Sequence, residues 1–132
     1  MWQKQSTLLP PKVLIVDDSW TYLTLIATLL TERGYIVTTA TDGEEAIEKA
    51  LSERPNCVVL DVVLPKMSGF QVCRKLKNMD ASRNIPIILI SSKNTPLDRH
   101  WGMQQGADIY LEKPFSEQDL LASVRSLTIN KL

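Results

Sequence analysis

The sequence is poor in several things that would each point to a function class. It has two cysteines, Cys57 and Cys73, at a spacing that matches neither a zinc site nor a redox motif. Two are too few for a disulfide framework, so both are read as reduced packing residues of a chain in a reducing, cytoplasmic compartment. The single histidine, His100, has no neighbour that suggests metal binding or catalysis and is read as exposed. No surplus of either charge exists: Lys plus Arg and Asp plus Glu each number 15, so nothing in the net charge calls for nucleic acid or an anionic membrane. No apolar run is long enough to span a bilayer, and Met1 to Thr7 lack the apolar centre of a signal peptide. Repeats, low-complexity tracts and interdomain linkers are also missing, and 132 residues fit one domain.

What the chain does have is a regular alternation of two patterns. Solid apolar runs at Lys12–Val16, Tyr35–Ala40, Cys57–Leu60, Ile85–Ile90 and Asp108–Glu112 predict buried strands. Between them, apolar residues at helical spacing predict helices over 20–33, 43–53, 70–79 and 96–105, with a last one after Ser116. Ser19, Thr41 or Asp42, and Ser116 are the expected caps; Gly34 and Gly106 the expected stops. The inward positions are Leu23, Ile26, Ala27 and Leu30 in the first helix, and Ala46, Ile47, Ala50 and Leu51 in the second. Val72, Cys73 and Leu76 follow in the third, and Leu120, Leu121, Val124 and Leu127 in the last. Strand and helix alternating throughout predict an α/β fold, a parallel sheet with helices on both faces. Residues 1–11, ending in Pro10-Pro11, are read as a flexible lead-in, 12–128 as the domain and 129–132 as a tail.

The polar residues that end the strands carry the chemistry. They are Asp17-Asp18, Asp61, Ser91-Ser92 and Lys113; only the second strand, ending at Ala40, lacks one. In an open parallel sheet the carboxyl ends of the strands form the binding edge. Three carboxylates gathered there repel one another unless a cation compensates, and an all-oxygen donor set suits Mg²⁺ or Mn²⁺ better than zinc. A carboxylate beside a metal and a lysine can act as a nucleophile towards phosphorus, and a serine hydroxyl can donate to a phosphoryl oxygen.

Val16-Asp17-Asp18-Ser19, Leu60-Asp61-Val62-Val63-Leu64-Pro65 with Ser68-Gly69, Ser91 after a strand, and Gly106-Ala107-Asp108-Ile109-Tyr110-Leu111-Glu112-Lys113-Pro114-Phe115 together resemble a response-regulator receiver domain. The resemblance runs over about residues 12 to 128 and implies a flavodoxin-like five-stranded sheet of order 2-1-3-4-5. It implies a two-component signalling protein rather than a turnover enzyme, with Asp61 as phosphoacceptor. Mg²⁺ would be held by Asp18 and Asp61 directly, by Asp17 through water, and by the backbone carbonyl of Val63. Lys113, before a cis Pro114, would face the phosphoryl group; Ser91 and Tyr110 would be the switch pair. Ser91 stands where threonine is commoner, and Val63 where many members carry a polar residue.

The implied partners are a sensor histidine kinase or phosphotransfer protein, and a downstream protein target reached through the face that bears Tyr110. No chain remains after the last helix for a DNA-binding or enzymatic output, so the protein reads as a stand-alone regulator. The run Asp98-Arg99-His100-Trp101-Gly102-Met103-Gln104-Gln105-Gly106-Ala107 is similar to receivers that accompany twitching and phototaxis systems. Trp101 there suits either a partner contact or packing.

Two other function classes compete. An aspartyl phosphohydrolase usually carries a second acid two residues after the nucleophile, where this chain has Val63. An FMN-binding flavodoxin relative needs a phosphate loop after the first strand, and Asp17-Asp18 would repel the phosphate.

Overall fold

Five short strands of β-branched and aliphatic residues line up in the computed structural model, which describes residues 10–129. Most of the expected lead-in and tail (1–9 and 130–132) lies outside the described residues. The strands are β1 Lys12–Val16, β2 Ile36–Ala40, β3 Cys57–Asp61, β4 Ile87–Ser91 and β5 Ile109–Glu112. All neighbours pair in parallel, in the order β2-β1-β3-β4-β5. This is the order implied by the resemblance. The helices are α1 Trp20–Glu32, α2 Gly43–Glu53, α3 Gly69–Lys77, α4 Pro96–Gln104 and α5 Glu117–Thr128.

The two-residue period of a strand decides which helix meets which side chain. Leu14, Val16, Val58, Leu60, Ile87 and Leu89 form one core with Ala46 and Ala50 of α2 and Val72, Cys73 and Leu76 of α3. Val13, Ile15, Cys57, Val59, Ile88 and Ile90 point the other way, onto Leu23, Ile26 and Leu30 of α1 and Leu120 and Val124 of α5. Both cysteines are buried and unpaired, and burial pushes both thiols up to about 12, so they pack and do not react.

Most helix starts follow the capping logic of the sequence. Ser19, Asp42 and Ser116 accept the N–H of Tyr22, Glu45 and Asp119. Two further starts, at Ser68 with Gln71 and at Thr95 with Asp98, are reciprocal capping boxes.

Several expected boundaries and one inward residue need correction. Strand β4 covers Ile87–Ser91, not 85–90: Pro86 offers its carbonyl to Val58 N–H but has no donor of its own, and Ser91 completes the strand. Tyr35 and Asp108 fall outside β2 and β5, and α3 stops at Lys77. Leu51 is 38% exposed, because α2 meets the sheet through the small residues Ala46 and Ala50, which bring its axis close on a narrow stripe. In α1, Leu29 joins the buried set, while Ala27 packs only partly against it.

The amino ends of the strands are fastened by polar side chains. Asp108 Oδ2 accepts from Ile87 N–H at 2.8 Å and from Lys77 Nζ at 3.3 Å. Lys77 Nζ also reaches the Ile85 carbonyl at 2.8 Å, and Asn56 Oδ1 accepts from Lys12 N–H at 2.8 Å.

Candidate functional site

The registers bring the strand ends level: Val16 lies opposite Leu60, Asp61 opposite Ile90, and Ser91 opposite Glu112. A residue that follows or ends any of these strands therefore arrives at the same edge. Asp17 N–H donates to the Ala40 carbonyl, and Lys113 N–H donates to the Ser91 carbonyl at 2.9 Å, so pairing holds one residue past β1 and β5.

Asp17 and Asp61 are buried and Asp18 is exposed; one carboxylate oxygen from each lies within 4.8 Å of the others. Asp17 Oδ1 accepts from Ser19 N–H at 2.8 Å. Its Oδ2 accepts from Lys113 Nζ at 2.9 Å, and Asp61 Oδ1 lies 3.1 Å from the same nitrogen. These four residues, with Ser19, Tyr22, Val63, Ser92 and Pro114, line a cleft of about 430 Å³. A wider groove of about 720 Å³ between α2 and α3 is lined by Lys66, Arg74, Lys75, the amides Gln71 and Asn78, and apolar residues, with no carboxylate among them. The reactive groups sit in the smaller cleft.

Electrostatics set the acids apart. Burial, and then the neighbouring charge of Asp17, raise Asp61 from 3.8 to about 6, outweighing Lys113. Burial works against the charge of Lys113, yet the hydrogen bond it donates to Asp17 and the charge of Asp61 hold its ammonium above the usual lysine value. One lysine is shared between two buried carboxylates, and among the described residues the third acid, Asp18, has none. That surplus of oxygen ligands around a concave site fits a hard divalent cation. Asp17, Asp18 and Asp61 are the side chains that could hold it.

Ser91 is buried at the end of β4, and it does not line the cleft; exposed Ser92 does. The Ser91 Oγ accepts from Lys93 N–H at 2.9 Å, and the Tyr110 hydroxyl donates to the Lys93 carbonyl. The two residues are thus joined through the backbone of Lys93. Burial raises the Tyr110 phenol above its ordinary value. Tyr110 is buried beneath α4, where Gly102 makes room for it: a Cβ on Gly102 would stand 2.7 Å from Tyr110 Cδ2. Trp101 is half exposed on the same helix, beside exposed Leu97 and Met103. Lys113 and Pro114 are joined by a cis peptide bond.

Sequence reasoning did not single out Tyr22. Its ring centroid lies 3.9 Å from Lys113 Nζ. The fixed distance from the Ser19 cap places Tyr22 in the first turn of α1, and only Ser19 in the motif gives that position away.

The comparisons agree with this geometry. The family described as "Response regulator receiver domain" matches residues 13–125. The alkaline phosphatase synthesis transcriptional regulatory protein PhoP of Bacillus subtilis is 41% identical over 116 residues, 88% of this chain and 48% of that protein. Protein PilG of Pseudomonas aeruginosa is 38% identical over 115 residues, 87% of this chain and 85% of that protein. Among solved structures, the receiver domain of the sensor histidine kinase PA1611 from Pseudomonas aeruginosa has a magnesium ion coordinated in its active-site cleft. It superposes with a TM-score of 0.83 at 29% identity, covering 89% of this chain and 97% of that one. The chain spans about half the length of the first curated relatives it matches, 48% and 47%. No helix among the described residues is long and apolar enough to cross a membrane. With the 2-1-3-4-5 sheet and the acids at its carboxyl edge, these matches establish that the chain belongs to the response regulator receiver domain family of two-component systems.

Proposed function

We propose that residues 12–128 form a receiver unit that takes a phosphoryl group onto Asp61 from a phosphohistidine of a sensor kinase or phosphotransfer protein. The observation that carries this reading is the convergence of Asp17, Asp18, Asp61 and Lys113 on one cleft at the strand ends. A carboxylate oxygen of Asp61 attacks phosphorus; the O–P bond forms as the N–P bond to the imidazole breaks, and the released imidazole takes its proton from water. Before a cation binds, a carboxyl raised to about 6 is still mostly ionised at pH 7, so the nucleophile is present as the carboxylate.

Asp17, Asp18, Asp61 and the Val63 carbonyl hold Mg²⁺, or Mn²⁺ in its place. The bound cation supplies charge neutralisation at the phosphoryl oxygens. Lys113 donates to one of those oxygens, giving up its contact with Asp61. Ser91 turns its hydroxyl from Lys93 N–H to another, and that move reaches Tyr110 because both residues bond to Lys93. Val63, 56% exposed at the rim, sets how easily water reaches the acyl phosphate and hydrolyses it. The product is a changed surface: the face of α4, β5 and α5, with Trp101 and Tyr110, binds the downstream protein.

Incubation with Mg²⁺ and a small phosphodonor such as acetyl phosphate is expected to add one phosphoryl mass to the wild-type chain and none to Asp61→Asn, read by intact mass spectrometry. An unmodified wild type, or an equally modified Asp61→Asn, would refute the assignment. Gly102→Ala tests the switch. The added methyl meets the Tyr110 ring at 2.7 Å, so the ring is expected to leave its seat and lose its bond to Lys93 without phosphodonor, seen as a changed Tyr110 ring spectrum in NMR. Likeness to Protein PilG and the Asp98–Ala107 run support a role in pilus-based twitching motility. Twitching zones that stay normal on deletion of the gene would remove that role.

A further inference from the structure

We infer that Tyr22 is a positioning residue for Lys113, holding the ammonium in the cleft by its ring face when the carboxylates are drawn elsewhere. The inference rests on the proposed phosphoacceptor role of Asp61. Among the described residues Lys113 Nζ has three partners: Asp17 Oδ2 at 2.9 Å, Asp61 Oδ1 at 3.1 Å and the Tyr22 ring, its centroid at 3.9 Å. An ammonium has three donors and no acceptor, and two carboxylates occupy two of them. The distance to the ring is well inside the range of a cation–π contact, and the lysine side chain is only 11% exposed, so water screens the contact little.

Two contacts fix the position of Tyr22, one at its backbone and one at its ring. Tyr22 stands in the first turn of α1, its N–H bonded to the Ser19 cap at 3.4 Å. Phe115 packs against the ring at 5.9 Å between centroids, tilted by 50°. Phe115 is two residues beyond Lys113, so the loop that delivers the lysine also braces the ring beneath it.

The three partners of Lys113 differ in what competes for them. A divalent cation held by Asp17 and Asp61 would offset their charge and weaken their hold on the ammonium, and a phosphoryl group would change Asp61 outright. Neither competes for the neutral ring. Without it, nothing but a carboxylate already engaged elsewhere keeps Lys113 over the incoming phosphoryl oxygens, and the long side chain is free to swing into solvent.

The test compares Tyr22→Leu with Tyr22→Phe, which keeps the ring and loses only the hydroxyl. In the metal-free protein, NMR should show the Lys113 ε-methylene protons shifted upfield by the ring current in wild type and Tyr22→Phe, and at ordinary lysine positions in Tyr22→Leu. With Mg²⁺ and acetyl phosphate, Tyr22→Leu is expected to take up phosphate about tenfold more slowly, and Tyr22→Phe within about twofold of wild type. Tyr22→Met repeats both arms if the leucine variant does not fold. Lysine shifts that do not depend on the ring, or equal rates in wild type and Tyr22→Leu, would overturn the inference. A wild type that takes up no phosphate would instead overturn the reading of Asp61, and this inference with it.

Discussion

Gly69→Ala is expected to destabilise the protein by about 3 kcal/mol or more, a fall in Tm of about 10 °C or more, although it changes one hydrogen to a methyl on a helix. Gly69 opens α3, and its N–H donates to the Val62 carbonyl at 2.7 Å. A Cβ there would stand 2.2 Å from the Asp61 carbonyl oxygen and 2.8 Å from Val62 Cα. Both are backbone atoms of the strand end, which no rotamer change can clear. Either α3 backs away from the sheet, opening the core around Val72 and Cys73, or the Asp61 peptide is pushed aside. The second response moves the nucleophile, so phosphoryl uptake should fall with stability. Thermal unfolding by circular dichroism checks the first part, and intact mass after acetyl phosphate the second. A variant with wild-type Tm would show that helix and strand end are not in the contact described.

Asp61→Asn should act in the opposite direction on stability. The Asp61 carboxyl titrates near 6 in the folded protein against 3.8 ordinarily, so the folded state binds more protons between those values. Stability therefore falls as pH rises through that window, and above it the full cost of the charge is present. About two pH units at about 1.4 kcal/mol each give a cost of about 3 kcal/mol at pH 7. Asparagine removes it while the Asp17–Lys113 pair remains. Metal-free Asp61→Asn is thus expected to melt about 10 °C above wild type at pH 7 and to lose that advantage as pH falls towards 4. Excess Mg²⁺ should raise the wild type and narrow the gap. Equal melting curves at pH 7 without metal would mean that Asp61 is not strained by its neighbours. The site then trades stability for a poised carboxylate, as strained functional sites do.

The groups at the strand ends were legible because each interrupts an apolar run. Asp17, Asp61 and Lys113 stand where burial would forbid a charge without a reason, and a parallel sheet brings all such ends to one edge. The sheet order came from the resemblance, since alternation of strand and helix allows more than one. Other parts were hidden for physical reasons. Ser91 ends β4 because its backbone carbonyl accepts from Lys113 N–H, and a ladder bond leaves no mark on side-chain polarity. Leu51 looks like a core residue by its spacing, but the closeness allowed by Ala46 and Ala50 leaves it outside. Tyr22 drew no reading from the sequence, because only the fold brings it beside a lysine far along the chain, Lys113. The Ser91–Lys93–Tyr110 linkage likewise needs β4 and β5 already side by side.

The fastenings at the amino ends of the strands (Asp108 with Lys77 and Ile87, Asn56 with Lys12) stand a full strand away from the cleft. Five residues at about 3.3 Å each make that about 16 Å, and changes so far apart without shared partners combine additively. The molecule is in this sense polarised along its strand axis, with an anchoring pole and a reacting pole. For protein engineering, tags, tethers and stabilising substitutions belong at the anchoring pole. The chemistry at the other can then be tuned, or redirected to another partner, without unfastening the sheet that carries it.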